Sequence, residues 1–159
     1  MVAPVMPSLE AFGNLAGMLV GKKVKTTKAA PLVGPSIRGV ATYVDATGAV
    51  IFVALTDVAF IASMGAALAM IPLPSVTEAI RSGKPSDVLV ENAYEVLNVA
   101  ASLLNDVEGA TVHVKVTKLD IGAPTAELAK RLIKPAARID LAFAIPGYPD
   151  ARLSLVALS

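Results

Sequence analysis

Five polar side chains, Glu91, Glu95, Asn98, Ser102 and Asn105, recur at steps of four, three, four and three. That spacing keeps them on one face of an α-helix. Most of the remaining positions are apolar: Val90, Ala93, Val96, Leu97, Ala100, Ala101, Leu103 and Leu104. Between Lys84 and Lys115 the chain has no lysine or arginine, so no intrahelical cation neutralises Glu91 or Glu95. Carboxylates and amides offered in this way suit a site that a partner's cation completes. An acidic, solvated helix face has the same pattern, and on the stripe alone both readings stand.

Little other chemistry is available. The 159 residues include no cysteine and one histidine, His113, which excludes thiolate metal sites, cysteine nucleophiles and multi-histidine centres. His113 falls on the polar side of an alternating strand. No second helix carries Glu-x-x-His, so Glu91 and Glu95 lack the partners of a di-metal site. Gly17-Met-Leu-Val-Gly21-Lys22-Lys23 departs from a phosphate-binding loop in spacing and in its last residue. Lys22, Lys23, Lys25 and Lys28 read as edge-strand protection, and Lys130, Arg131, Lys134 and Arg138 as cations near the end of a short helix. Neither cluster has the aromatics that stack bases. With a formal net charge of +1, no binding to nucleic acid is expected.

The elements around the stripe follow from caps and periodicity. Ser8 caps a helix to about Val20, ended by Gly21, and Lys22 to Ala30 follows as a strand. Ile37 to Val44 and Ala49 to Leu55 form a hairpin around Asp45-Ala-Thr-Gly48. An all-apolar helix is expected from Val58 to Ile71, and Ser75-x-x-Glu78 reads as a capping box for a short helix ending near Gly83. Ser86 opens the stripe-bearing helix, Asp87 to about Asn105. Thr111 to Leu119 alternates, with Val112, Val114 and Val116 on one face. A short basic helix (Thr125 to Ile133) precedes strands at Ala137 to Ile145 and Arg152 to Leu158.

This order repeats: helix, strand and hairpin occupy residues 8–55 and again 86–158, with Asn14-Leu-Ala matching Asn98-Val-Ala. The expectation is one α+β domain over residues 1–159. It would consist of two helix-plus-three-strand units related by a pseudo-two-fold, their six-stranded sheet covered by helices. Neither apolar stretch suits a membrane. Val58 to Ile71 would span roughly 21 Å as a helix, short of the roughly 30 Å hydrocarbon core. The Gly13-x3-Gly17-x3-Gly21 spacing suits close packing in a soluble core. No secretion signal opens the chain, so a cytoplasmic protein is expected. The apolar helix and the free strand edges call for cover, which predicts a homodimer.

Asp87-Val-Leu-Val-Glu91-Asn-Ala-Tyr-Glu95-Val-Leu-Asn98 resembles the active helix of the CheC/CheX family of chemotaxis phosphatases. In that family an acidic or serine position precedes Glu-x-x-Asn on one helix face, with a proline downstream. The matching residues are Glu91, Glu95 and Asn98, and Pro124 matches the proline a few residues late. The order of elements and the internal duplication also fit. The resemblance implies a phosphatase acting on the phospho-aspartate of a CheY-like response regulator. Asn98 would position the attacking water, and Glu95 would pair with a lysine of the regulator. Glu91 and Ser102 would contact the partner. No cofactor would be bound by this chain; Mg2+ would belong to the phosphorylated partner. The first half keeps Asn14 but has Ala11 where the glutamate belongs, with Glu10 out of phase and facing elsewhere. One working site is therefore implied, as in CheX. The alternative is a catalytically silent interaction module of the same fold.

Overall fold

The computed structural model describes residues 4–159. Three helices start at hydroxyl caps that the sequence marks. Ser8 Oγ accepts from Ala11 N–H at 3.1 Å to open α1 (Leu9–Val20). Ser86 and Thr125 do the same, at 3.4 and 3.2 Å, for the long stripe-bearing helix and the short basic helix. Each hydroxyl satisfies one of the N–H groups that a first turn leaves without a carbonyl. Gly21 ends α1 in the left-handed region at φ 69°. The glycines of α1 allow close packing: a Cβ on Gly17 would lie 2.9 Å from the Lys22 carbonyl oxygen.

Six strands form one antiparallel sheet: β1 (Lys25–Lys28), β2 (Gly39–Val44), β3 (Val50–Thr56), β4 (Lys115–Ile121), β5 (Ala137–Ala144) and β6 (Ala151–Ala157). The spatial order is β1-β5-β6-β3-β2-β4. Exchanging β1 with β4, β2 with β5 and β3 with β6 turns that order into its own reverse. The centre of the sheet is the β3–β6 pair, with Phe52 opposite Ala157 and Thr56 opposite Leu153. The α+β class expected from the sequence, six strands covered by helices, is the one the chain adopts.

One sheet face, with Ala41, Tyr43, Phe52, Leu141, Phe143, Leu153 and Leu155, packs under α1 and the long helix α4 (Asp87–Asp106). Between them lies a segment wound as a π-helix over Phe60–Met64 that continues as α2 (Gly65–Leu68). The other face carries a smaller cluster of Val40, Val53, Leu55 and Val156. It is covered by Leu32 and Ile37 of the β1–β2 connection and by Leu128 and Leu132 around α5 (Ala126–Arg131).

Several local expectations are revised. The apolar helix is shorter than Val58 to Ile71, because its middle is π-wound and the chain turns at Met70, whose φ is 53°. Phe60 to Ala67 are all buried within the chain, so this segment needs no second protomer to cover it. No capping box forms at Ser75. The helix α3 (Leu73–Ser82) begins earlier, after Pro72, and Glu78 is held by Arg81 at 2.7 Å. The strand expected from Lys22 to Ala30 narrows to β1. The strand β4 starts at Lys115 rather than Thr111, and Val112 is 41% exposed. The alternation also breaks inside β4. A two-residue step on β2, Ala41 to Tyr43, spans three residues on β4, Leu119 to Val116. This bulge makes Leu119 the next inward residue after Val116. No described helix is long and apolar enough to cross a membrane.

The seat of α4 depends on Gly65. A Cβ there would approach Leu89 Cα to 3.1 Å and collide with the Leu89 carbonyl oxygen. Backbone has no room to yield. Gly65→Ala is expected to destabilise the fold by about 1–3 kcal/mol, read as a lower urea midpoint. An unchanged midpoint would mean that the π-wound segment and α4 can separate freely.

Candidate functional site

The helix α4 divides cleanly around its axis. Leu89, Ala93, Val96, Leu97, Ala100, Ala101 and Leu104 are buried. Glu91, Glu95, Asn98 and Ser102 are exposed. Among the described residues, no hydrogen bond or ion pair engages the side chains of Glu91, Glu95 or Asn98. Ser102 Oγ donates back to the Val99 carbonyl at 2.8 Å, a local bond that leaves its lone pairs free. Side chains three residues apart on a helix have Cβ atoms about 5–6 Å apart. Glu95 and Asn98 can therefore reach one small pocket on a partner.

Asn105 leaves the stripe. Its amide donates to the Val114 carbonyl at 2.9 Å and its oxygen accepts from Val114 N–H at 2.8 Å. The pairing satisfies both backbone groups of the residue just before β4. Two anchors that the periodicity does not reveal hold the other side of α4. Asn92 donates to the Gly65 carbonyl at 2.9 Å, and the Tyr43 hydroxyl donates to the Leu97 carbonyl at 2.6 Å. Burial holds the Tyr43 phenol far above its ordinary pKa, so it stays a donor at any ordinary pH. The Leu97 carbonyl lies one residue before Asn98, and the phenol fixes the backbone there. The partners of Asn92 and Tyr43 are set by tertiary packing, so no spacing in the sequence could have identified them.

Below α4, Asp57 opens the π-wound segment. Its Oδ1 accepts from Phe60 N–H at 2.8 Å and from Arg152 N–H at 3.2 Å. Burial outweighs these bonds and raises its pKa.

The helix α1 packs alongside α4, with Phe12 and Ala16 facing Val96 and Ala100 across a shallow crevice. Glu10 and Asn14 are both exposed, four residues apart and so on one face of α1. This corrects the expectation that Glu10 faces elsewhere. Ala11 still leaves α1 without the Glu-x-x-Asn spacing. Pro124 is not brought to α4; it lines a groove with Val33, Pro35 and Leu132 on the second sheet face. His113 is exposed and precedes β4.

The lysine-rich stretch does not converge either. Lys22 donates to the Pro146 carbonyl at 3.2 Å and lies 5.2 Å from the centroid of the Tyr148 ring, whereas Lys25 and Lys28 sit on the edge strand β1. Arg138 leaves its cluster to pair with Asp140 at 2.8 Å. Among the described residues, no three His, Asp or Glu side chains gather in a metal-binding group.

The two asparagines differ sharply in structural cost. Asn98→Ala is expected to change stability by less than about 0.5 kcal/mol. Asn105→Ala should cost about 1–3 kcal/mol, because it strands both backbone groups of Val114. Chemical denaturation of the two variants measures the difference; equal losses would refute this division of the polar stripe.

Neither a protein-family model nor a curated protein sequence matches the chain. Solved structures do. The FliM middle domain from H. pylori superposes with a TM-score of 0.64 at 9% identity, covering 94% of this chain and 84% of that one. A chain of the CheX–CheY–BeF3–Mg2+ complex from Borrelia burgdorferi gives 0.61 at 9% identity, covering 95% of each. Thermotoga maritima FliY gives 0.59 at 10% identity, covering 96% of this chain and 85% of that one. At these identities the likeness is one of fold: the six-stranded α+β architecture is shared with CheX and FliM middle-domain proteins.

Proposed function

We propose that this chain is a phosphatase of a CheY-like response regulator, with Glu95 and Asn98 as its acting pair. The observation that carries the reading is the state of these two side chains. They stand exposed, one helical turn apart, without partners among the described residues, on a helix pinned at Gly65, Leu97 and Val114. A likeness to a chain of a CheX–CheY complex supports the same reading.

Hydrolysis of a phospho-aspartate requires a water oxygen to attack phosphorus in line with the acyl oxygen. The P–O bond to the aspartate then breaks, the carboxylate leaves, and inorganic phosphate is formed. Positioning and electrostatics dominate such a step. The Asn98 amide can hold the water without titrating. Glu95 would pair with a lysine of the regulator and set the register, while Glu91 and Ser102 flank the contact. Magnesium would belong to the regulator's pocket. The setting would be the cytoplasm, where such a regulator works.

The test is the decay of a phosphorylated regulator with wild-type protein and with Asn98→Ala. Wild type should accelerate decay, and Asn98→Ala should lose about 100-fold of that acceleration while remaining folded. Decay unaffected by wild-type protein across several regulators would favour the second reading, a docking module without catalysis. That reading is supported by the likeness to FliM middle domains, one of them solved in complex with FliG.

The reading also includes a homodimer. With the apolar segment covered internally, its basis is now the sheet edges, since β1 and β4 each have one unpaired side. Light scattering should give twice the chain mass; a monomer would remove the dimer and leave the site intact.

A further inference from the structure

The Asn98 side chain is exposed and has no partner among the described residues, so the backbone beneath it sets its place in space. That backbone is gripped from inside the molecule. The Leu97 carbonyl and the Asn98 nitrogen belong to one planar peptide group, and this carbonyl accepts from the Tyr43 hydroxyl at 2.6 Å. In the continuous helix α4 the same carbonyl also faces the Ala101 N–H, four residues on. The phenol is therefore a second donor. Ser102 adds a second donor to the Val99 carbonyl as well, but that is a local bond which serines make within their own helices. Tyr43 reaches Leu97 from the sheet, 54 positions away in the chain.

The sheet is irregular on both sides of that phenol. Between Tyr43 and Val44 the neighbouring strand β3 fits in one extra residue, Ile51. Between Ala41 and Tyr43 the strand β4 spends three residues where β2 spends two. Bulges of this kind re-aim side chains and recur beside active sites. Tyr43 is 1% exposed. A buried position that needed only volume would be filled by phenylalanine, which has no hydroxyl to strip of water. Nor is the hydroxyl needed to satisfy the Leu97 carbonyl, because the Ala101 N–H already does so.

We propose that Tyr43 is a positioning residue for the α4 site: its hydrogen bond orients the Leu97–Asn98 peptide group and so places the Asn98 amide where the attacking water is held. The inference rests on the reading of α4 as a phosphatase site. Tyr43 lies beneath α4 and does not meet the regulator, so its effect falls on the rate within the complex and not on binding. Burial keeps the phenol protonated, which makes the contribution independent of pH over the ordinary range.

The test is the decay of a phosphorylated regulator over a range of concentrations of the full chain, wild type and Tyr43→Phe. The maximal acceleration should fall about tenfold in Tyr43→Phe, less than the roughly 100-fold that a 1 Å misplacement can cost. The half-saturating concentration should stay within about twofold, and the ratio of the two maximal rates should not vary with pH. Val156→Ala trims the cluster on the second sheet face and controls for lost stability; it should match wild type in both constants. In the NMR spectrum of Tyr43→Phe the Asn98 backbone amide should shift, because its own peptide carbonyl has lost a donor.

An active wild type with an unchanged maximal rate in Tyr43→Phe would overturn this proposal alone. So would a higher half-saturating concentration at constant maximal rate, or an Asn98 amide that does not shift. An equal loss in Val156→Ala, or a Tyr43→Phe chain that fails to fold, would assign the hydroxyl to stability and remove its positioning role. A wild-type chain that accelerates no regulator would overturn the reading of α4 itself, and the role of Tyr43 with it.

Discussion

The contact between the Gly65 backbone and the first turns of α4 governs the rest of the molecule. At that point two helical segments approach until no side chain fits between them, and Asn92 closes the gap with a hydrogen bond to the Gly65 carbonyl. Everything buried around Phe60–Met64 then has a fixed distance from α4. The outward stripe inherits that rigidity. A π-wound segment is an expensive way to turn a chain, because the extra residue per turn loosens its packing. Here it places Phe60, Ile61 and Met64 against the sheet while leaving Gly65 under Leu89.

The symmetry of the sheet makes the differences between its halves informative. Both halves present a helix to the same sheet face, but the two helices are seated differently. The glycines of α1 face the chain leading into β1, and Thr26 Oγ1 donates to the Leu9 carbonyl at 2.6 Å. The seat of α4 instead uses side chains of Asn92, Tyr43 and Asn105, whose bonds reach three separate elements. The better-tethered helix is also the one that displays the carboxylate and amide pair. That coincidence fits chemistry in which geometry, rather than an unusual pKa, does the work.

Much of the order of elements was legible because it rests on local chemistry. Ser8, Ser86 and Thr125 are side chains that satisfy their own first turns. The Asp45-to-Gly48 hairpin is likewise closed by the Asp45 carboxylate on Thr47 and Ala49 N–H. The outward face of α4 was legible for the same reason, since periodicity reports burial directly. What failed depended on which of several available partners a side chain or strand takes in the folded chain. Asn105 carries the period of the stripe yet belongs to Val114. The β4 bulge shifts the alternation after Val116, and the π-wound turn lies inside a run that is apolar on every side. Glu78 matched a capping box in type and spacing, but Pro72 started the helix earlier and Arg81 took the carboxylate.

The β3–β6 pair at the centre of the sheet has a consequence for how the chain is made. The strand β6 is last in chain order, yet it lies between β5 and β3 and joins the two halves. A ribosome therefore releases five strands before the seam between them can close. Until Ala151–Ala157 emerges, Val53, Leu55 and Phe52 have an open edge where a neighbouring strand should be. Such sequence-distant pairing is slow to form, and the waiting edge invites the wrong partner. The strands β3, β2 and β4 can pair among themselves before then, as can β1 with β5, but the two halves become one sheet only when β6 slides between them.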